Sequence, residues 1–158
     1  MPLSFRNFKY VGVFAIGLML SSSYALAQTS ATSLDAAVRA ATQWATLADP
    51  SQAVRMWTSS ESVMKKSISK EDWAKYLNSV QSQLGSINTR EWVQIARLTN
   101  PINFPPGEYV NIAFFSHFSK ASAVEKISLV QTPAGWVPVG YVVTKVELPP
   151  APAAVPGK

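Results

Sequence analysis

Apolar positions recur every three or four residues in the first half of the chain and alternate in the second. Leu34, Ala37, Val38, Ala41, Ala45 and Ala48, with Trp44 on the flank, fall on one helical face. Ser33 or Thr32 can accept the first free amide protons of that helix. Asp49-Pro50-Ser51-Gln52 follows, with Asp49 suited to a helix cap, Pro50 to a first helical position and Gln52 to the reciprocal capping site. The pattern thus predicts a second helix from Pro50, burying Val54 and Trp57, and a further helical turn at Val63 and Met64. Ser69, Lys70, Glu71 and Asp72 open the next helix, with acids in the first turn where the helix dipole favours them. Its buried stripe is Trp73, Tyr76, Leu77, Val80 and Leu84, and Gly85 is its stop.

Beyond Gly85 the period falls to two. Residues 87–98 alternate imperfectly, with Val93 and Ile95 on one side and Trp92 and Ala96 on the other. Asn100-Pro101 and Pro105-Pro106-Gly107 break the chain. Residues 108–118 give the strongest strand pattern: Val110, Ile112, Phe114 and Phe118 share one face, Tyr109, Asn111, Ala113, Phe115 and His117 the other. Residues 123–131 and 136–145 complete four strands, joined by turns at 119–122 and 132–135. Pro138 inside the last strand calls for an edge or a bulge. Strands joined by such short loops pair antiparallel, because a parallel crossover needs about a dozen residues or more. Helices followed by a meander predict an α+β fold, with N-terminal helices packed on a curved four-stranded antiparallel sheet.

The two ends read differently. Arg6 and Lys9, the apolar run of residues 11–20 and Ala25-Leu26-Ala27 form the three regions of a secretory signal peptide, cleaved after Ala27. That run is shorter than the roughly 20 apolar residues a spanning helix takes, and the alternative reading is an uncleaved anchor over residues 10–27. The expected organisation is a leader at 1–27, a polar lead-in at 28–33, one α+β domain at 34–146 and a Pro-rich tail at 147–158 that cannot build a core. The processed chain would be periplasmic or secreted and have no membrane association. Its charge falls from +5 to +3, twelve basic residues against nine acidic. So small an excess does not point to nucleic acid.

Chemistry is sparse. With no Cys and one His, the sequence excludes thiolate zinc sites, disulfides, Cys nucleophiles and a multi-histidine metal centre, and no cofactor motif or metal-ligand spacing is present. His117 is the one imidazole, and a three-residue turn at 120–122 would bring Glu125 close enough across the hairpin to orient it as a general base. The plainer reading is a partly exposed strand histidine. Glu71 with Asp72, and Asp49, read as helix-start residues. The aromatics carry more: Trp44, Trp57, Trp73, Tyr76, Phe114, Trp136 and Tyr141 are candidates for lining a pocket, against the simpler role of core packing. Tyr109, Ala113 and Phe115 make the second face of the strongest strand apolar as well. Antiparallel sheets usually leave one face wet, so these three are candidates for a homodimer interface.

Gly107-Glu108-Tyr109-Val110, the Phe118–Glu125 hairpin and Gly135-Trp136-Val137-Pro138-Val139-Gly140-Tyr141 occur in that order, after Trp44, Trp57 and Glu71-Asp72-Trp73 in successive helices. This combination, over roughly residues 34–143, resembles the secreted bacterial domain-of-unknown-function family 4019. The resemblance implies a cystatin-like, nuclear-transport-factor-2-like α+β cone and export, and it implies no reaction. Isomerases built on such a cone set an acidic base on the inner sheet face, and Val110, Ile112, Phe114 and Phe118 include no acid. The expectation is therefore an exported, non-catalytic ligand-binding or assembly domain with an aromatic-lined cone that takes a small molecule. The alternatives are a small isomerase or hydrolase-like enzyme using His117, and an envelope accessory protein contacting a partner through its Pro-rich tail.

Overall fold

Ser33 accepts a hydrogen bond from Ala36 N at 3.1 Å and starts α1 (Leu34–Ala45). The computed structural model that shows this describes residues 32–49 and 52–147. The leader, most of the lead-in, Pro50 and nearly all of the Pro-rich tail lie outside the described residues. After α1 come α2 (Ala53–Ser59), α3 (Ser62–Ser67) and α4 (Lys70–Leu84), then β1 (Ile87–Thr99), β2 (Glu108–Phe118), β3 (Ser122–Thr132) and β4 (Gly135–Lys145). The strands form one antiparallel sheet in the order β1-β2-β3-β4, and the fold is α+β as the patterning predicts. No helix among the described residues is long and apolar enough to cross a membrane.

Helix patterning holds for α1 and α4 and slips in α2. Ala37, Ala41, Trp44 and Ala45 are the buried face of α1, so Trp44 lies within the stripe rather than beside it. In α4, Ser69 caps Asp72 N at 3.1 Å, Asp72 pairs with Lys75, and Trp73, Leu77 and Leu84 are buried. The seven-residue α2 faces inward through Ala53 and Met56, with Trp57 half-buried. Val54, expected inside, is 57% exposed, because it sits about 100° around the helix from Ala53. Gln52 is the cap residue of α2 and makes no side-chain cap bond, so Asp49 does not cap this helix.

Of three register shifts in the sheet, two explain the irregular strand patterns. In β1, Trp92 pairs with Phe114 and Gln94 with Ala113, leaving Val93 as the extra residue of a bulge. The bulge puts Trp92 and Ile95 on the same face, where strict alternation would separate them. In β4, Ser128 pairs with Gly140 and Leu129 with Pro138, so Pro138 lies at both an edge and a bulge. The β4 edge is sealed by the helices: Pro138 O accepts from Glu61 N at 2.8 Å, and Val143 N donates to the Tyr76 hydroxyl at 3.0 Å. This protection blocks a further strand from adding there.

The core lies between the helices and the inner face of the sheet, built from Val110, Ile112, Phe114, Ile127 and Leu129 against Ala37, Ala41, Met56 and Leu77. Helix α1 packs on β4, β3 and β2, and α3 on β4. Strand β1 sits farthest from α1, and its Trp92 and Val93 are more than half exposed. The β2–β3 hairpin closes the end of α4: Lys120 donates from its backbone to Leu84 O and from Nζ to Ser82 O, meeting carbonyls the helix leaves open.

Candidate functional site

Inner positions of a strand are normally apolar, and β3 follows the rule at Ala123, Ile127 and Leu129. Glu125 breaks it: a carboxylate with no solvent exposure at all. Such a group persists inside a protein only if every lone pair is engaged. Arg90, from the inner face of β1, donates Nε to Glu125 Oε1 at 2.8 Å and an η nitrogen to Oε2 at 3.2 Å. Tyr141, from β4, donates its hydroxyl to Oε2. The other side of the guanidinium grips Asp49, after α1, with bonds of 2.8 and 3.1 Å. Four segments distant in sequence are thus tied through one cation.

Electrostatics follow from that geometry. Burial works against the Arg90 cation, but its bonds to Asp49 and Glu125 outweigh burial and push its pKa above the ordinary arginine range. Tyr141 is driven upward chiefly by burial, and the adjacent Glu125 charge and the bond to it add to the effect, so its phenol stays protonated. A partly open cavity of about 20 Å³ beside Asp49, Tyr141 and Leu77 has room for a single water. Both Glu125 oxygens are spent, and no substrate could reach them. The arrangement is a clasp that ties these segments together.

Next to the clasp lies an aromatic cluster. Trp44 stacks on Trp73 at 5.9 Å between centroids, and Tyr141 meets Trp44, Trp73 and Tyr76 edge-on at 6.0, 6.1 and 6.4 Å. Outward from it a recess of about 320 Å³ opens between α3, α4 and β4, walled by Met64, Ile68, Trp73, Tyr76, Tyr141 and Val142. Its volume is in the range of small-molecule sites, about 300–1,000 Å³. A second recess of about 330 Å³ runs between α1, α2 and β4, where Trp44 and Trp136 meet Gln43, Arg55 and Ser59. The indoles of both its tryptophans are already bonded, Trp44 to Met56 O and Trp136 to Ser33 O.

The structure divides the seven pocket candidates. Trp73, Tyr76 and Tyr141 line the first recess and Trp44 and Trp136 the second. Phe114 is core, 1% exposed. Trp57 lines neither recess; its indole donates to Ile68 O, and Lys65 lies over its ring.

His117 and Glu125 are not brought together. The register sets His117 opposite Ser122 and Glu125 opposite Phe114, so the imidazole lies on the outer face while the carboxylate points into the core. His117 is exposed, contacts Ser122 Oγ at 2.9 Å and stands edge-on to Phe115. The inner face does carry an acid, contrary to the reading of β2 alone, because β3 supplies it. Of the interface candidates, Tyr109 is covered by its own chain: Phe104 packs on its ring at 5.5 Å, and its hydroxyl donates to Pro105 O. Ala113 and Phe115 are half-buried.

Arg90 and the true role of Asp49 escape a reading of the sequence. The available signal was Glu125 itself, an acid in phase with Ala123, Ile127 and Leu129, a placement that demands a buried cation. Among the described residues, no group of three His, Cys, Asp or Glu side chains could hold a metal.

The model of the family described as "Protein of unknown function (DUF4019)" matches residues 40–141, and the chain belongs to that family. The matched span runs from within α1 to Tyr141, so it includes all four clasp residues and the walls of the first recess other than Val142. No curated protein and no solved structure matches the chain.

Proposed function

We propose that this member of the DUF4019 family is an exported, non-catalytic binding domain that takes a small, largely apolar molecule in the recess between α3, α4 and β4. One observation carries the reading: three aromatic rings, Trp73, Tyr76 and Tyr141, wall an open recess of ligand size. Apolar and aromatic linings with few polar groups are what small-molecule sites share. The neighbouring polar groups support a binding role over a catalytic one. Glu125 is saturated, and His117 is exposed with a serine and a phenylalanine as its neighbours. Export rests on the leader pattern at 1–27. A cystatin-like or nuclear-transport-factor-2-like cone is in keeping with helices laid on one face of a four-stranded meander.

Titration of the processed chain with a naphthalene-based apolar probe tests the reading, with tryptophan emission and calorimetry as readouts. Saturable binding at micromolar probe, weakened at least five-fold in Trp73→Ala, is expected. Unsaturable binding, or binding indifferent to both Trp73→Ala and Val142→Glu, would overturn it. The second substitution matters because Val142 is 52% exposed, so its change leaves the core intact.

A further inference from the structure

The walls of the recess hold an imbalance of hydrogen-bonding groups. The Tyr76 hydroxyl accepts from Val143 N at 3.0 Å, yet its own proton has no acceptor among the described residues. The Trp73 indole N–H is buried and likewise has no acceptor. Both rings line the same recess, their centroids 5.5 Å apart. The side chains of Met64, Ile68, Val139 and Val142 offer no strong acceptor, and the hydroxyl oxygens of Ser67 and Tyr141, whose protons go to Met64 O and Glu125, take no bond from Tyr76 or Trp73. No cation and no acid lines the recess.

We infer that the natural occupant is a neutral carbonyl compound with an apolar body, its oxygen accepting the Tyr76 hydroxyl proton. This rests on the binding reading and narrows it. An unsatisfied donor in an apolar wall costs free energy that a matching acceptor recovers. A carboxylate would satisfy the donor as well, but it would enter an uncharged recess with no cation to offset its lost hydration. An amine would bring a further donor where donors already go unmet. Burial, reinforced by the nearby Glu125 charge and opposed by the bond from Val143 N, holds Tyr76 above the ordinary phenol range, so the proton stays available at neutral pH.

The test compares two probes of nearly the same shape, 2-acetonaphthone and 2-isopropenylnaphthalene, which differ by an oxygen in place of a methylene. The wild-type chain is expected to bind the ketone about five-fold more tightly, the worth of one net hydrogen bond. In Tyr76→Phe the ratio of the two affinities is expected to fall to about one, whatever the variant does to binding of both probes. Equal affinities in the wild type, or a preference that survives Tyr76→Phe, would overturn the inference and leave the binding reading standing. Failure of both probes to bind would remove both. Because Tyr76→Phe also deprives Val143 N of its acceptor, a second readout avoids the variant. The Trp73 indole proton, assigned among the five tryptophans with Trp73→Phe, is followed by NMR in the wild type. A larger shift with the ketone than with the alkene supports the inference, since the naphthyl ring current is common to both. Identical shifts count against it.

Discussion

Replacing Arg90 with Met removes the cation of the clasp while keeping a side chain of similar length. The Glu125 side chain is 0% exposed, that of Arg90 8% and that of Asp49 23%. Asp49 can regain water when its partner is lost. Glu125 cannot, and it keeps only the Tyr141 hydroxyl. Breaking a buried pair by removing one partner costs about 3–5 kcal/mol, most of it from the stranded charge. Against a total of about 5–15 kcal/mol for a domain, the variant should fold with little margin. Urea unfolding at neutral pH measures the loss. Pairing Arg90→Met with Glu125→Leu removes the stranded charge and should recover most of the loss, because an apolar replacement of a whole buried pair is often neutral. A cost below about 1 kcal/mol for Arg90→Met, or a double variant weaker than the single, would refute the reasoning.

Other expectations concern single groups. Tyr141→Phe removes a bond to a buried carboxylate and should cost about 1.5–3 kcal/mol at neutral pH. In the wild type, Tyr141 stays protonated in the folded chain while the unfolded phenol ionises near the ordinary tyrosine value of 10.0. Stability should therefore fall above pH 10 by up to about 1.4 kcal/mol per pH unit from this group, and the slope should shrink in Tyr141→Phe when urea midpoints are compared. Ser116 Oγ is buried without a partner among the described residues. Ser116→Ala should leave the thermal midpoint unchanged or raise it, and a loss above about 1 kcal/mol would show that the hydroxyl is bonded. Gly85 has φ +82°, and an added Cβ would lie 2.0 Å from Ser119 Oγ, which accepts from Ser86 N. Gly85→Ala should cost about 2 kcal/mol from left-handed strain and the displaced serine, and a stability within about 0.5 kcal/mol of wild type would contradict that account.

The elements were legible where a local rule decides them. Capping at Ser33 and Ser69, the stop at Gly85 and the proline at an edge each need only a few neighbouring residues to be read. Strand β2 was legible because both its neighbours are strands and its alternation is unbroken. Strand β1 was not, since the bulge at Val93 shifts its phase by one residue and nothing local announces it. The family was recognisable from ordered short motifs, which survive where the geometry of any one of them is unread. The clasp was hidden for a different reason. Asp49 has every mark of a helix cap, and Arg90 looks like a solvated strand residue; only the pairing of β1 with β2 and β2 with β3 brings the arginine to the buried glutamate, 35 residues on. A misplaced turn had the same effect in reverse, pairing His117 with an acid that the register sends to the other side of the sheet.

Clasp and recess meet in one residue, and this links stability to the proposed binding role. The Tyr141 hydroxyl is held by Glu125, and its ring is at once a wall of the recess and an edge against Trp44, Trp73 and Tyr76. Stacking alone orients a ring loosely, because pairwise aromatic contacts are worth only about 0.5–1.5 kcal/mol and several geometries satisfy them. A hydrogen bond to a buried carboxylate is directional and stronger, and here the carboxylate is itself fixed by a guanidinium. Arg90 therefore positions the Tyr141 wall of the recess through one intermediate, Glu125, without lining the recess itself. Trp73, 2% exposed and packed on Trp44, Tyr76 and Tyr141, is held by its neighbours although its indole N–H has no partner among the described residues. A recess whose rings are fixed by packing and by one directional bond keeps its shape without an occupant, which is what the proposed binding role requires of it.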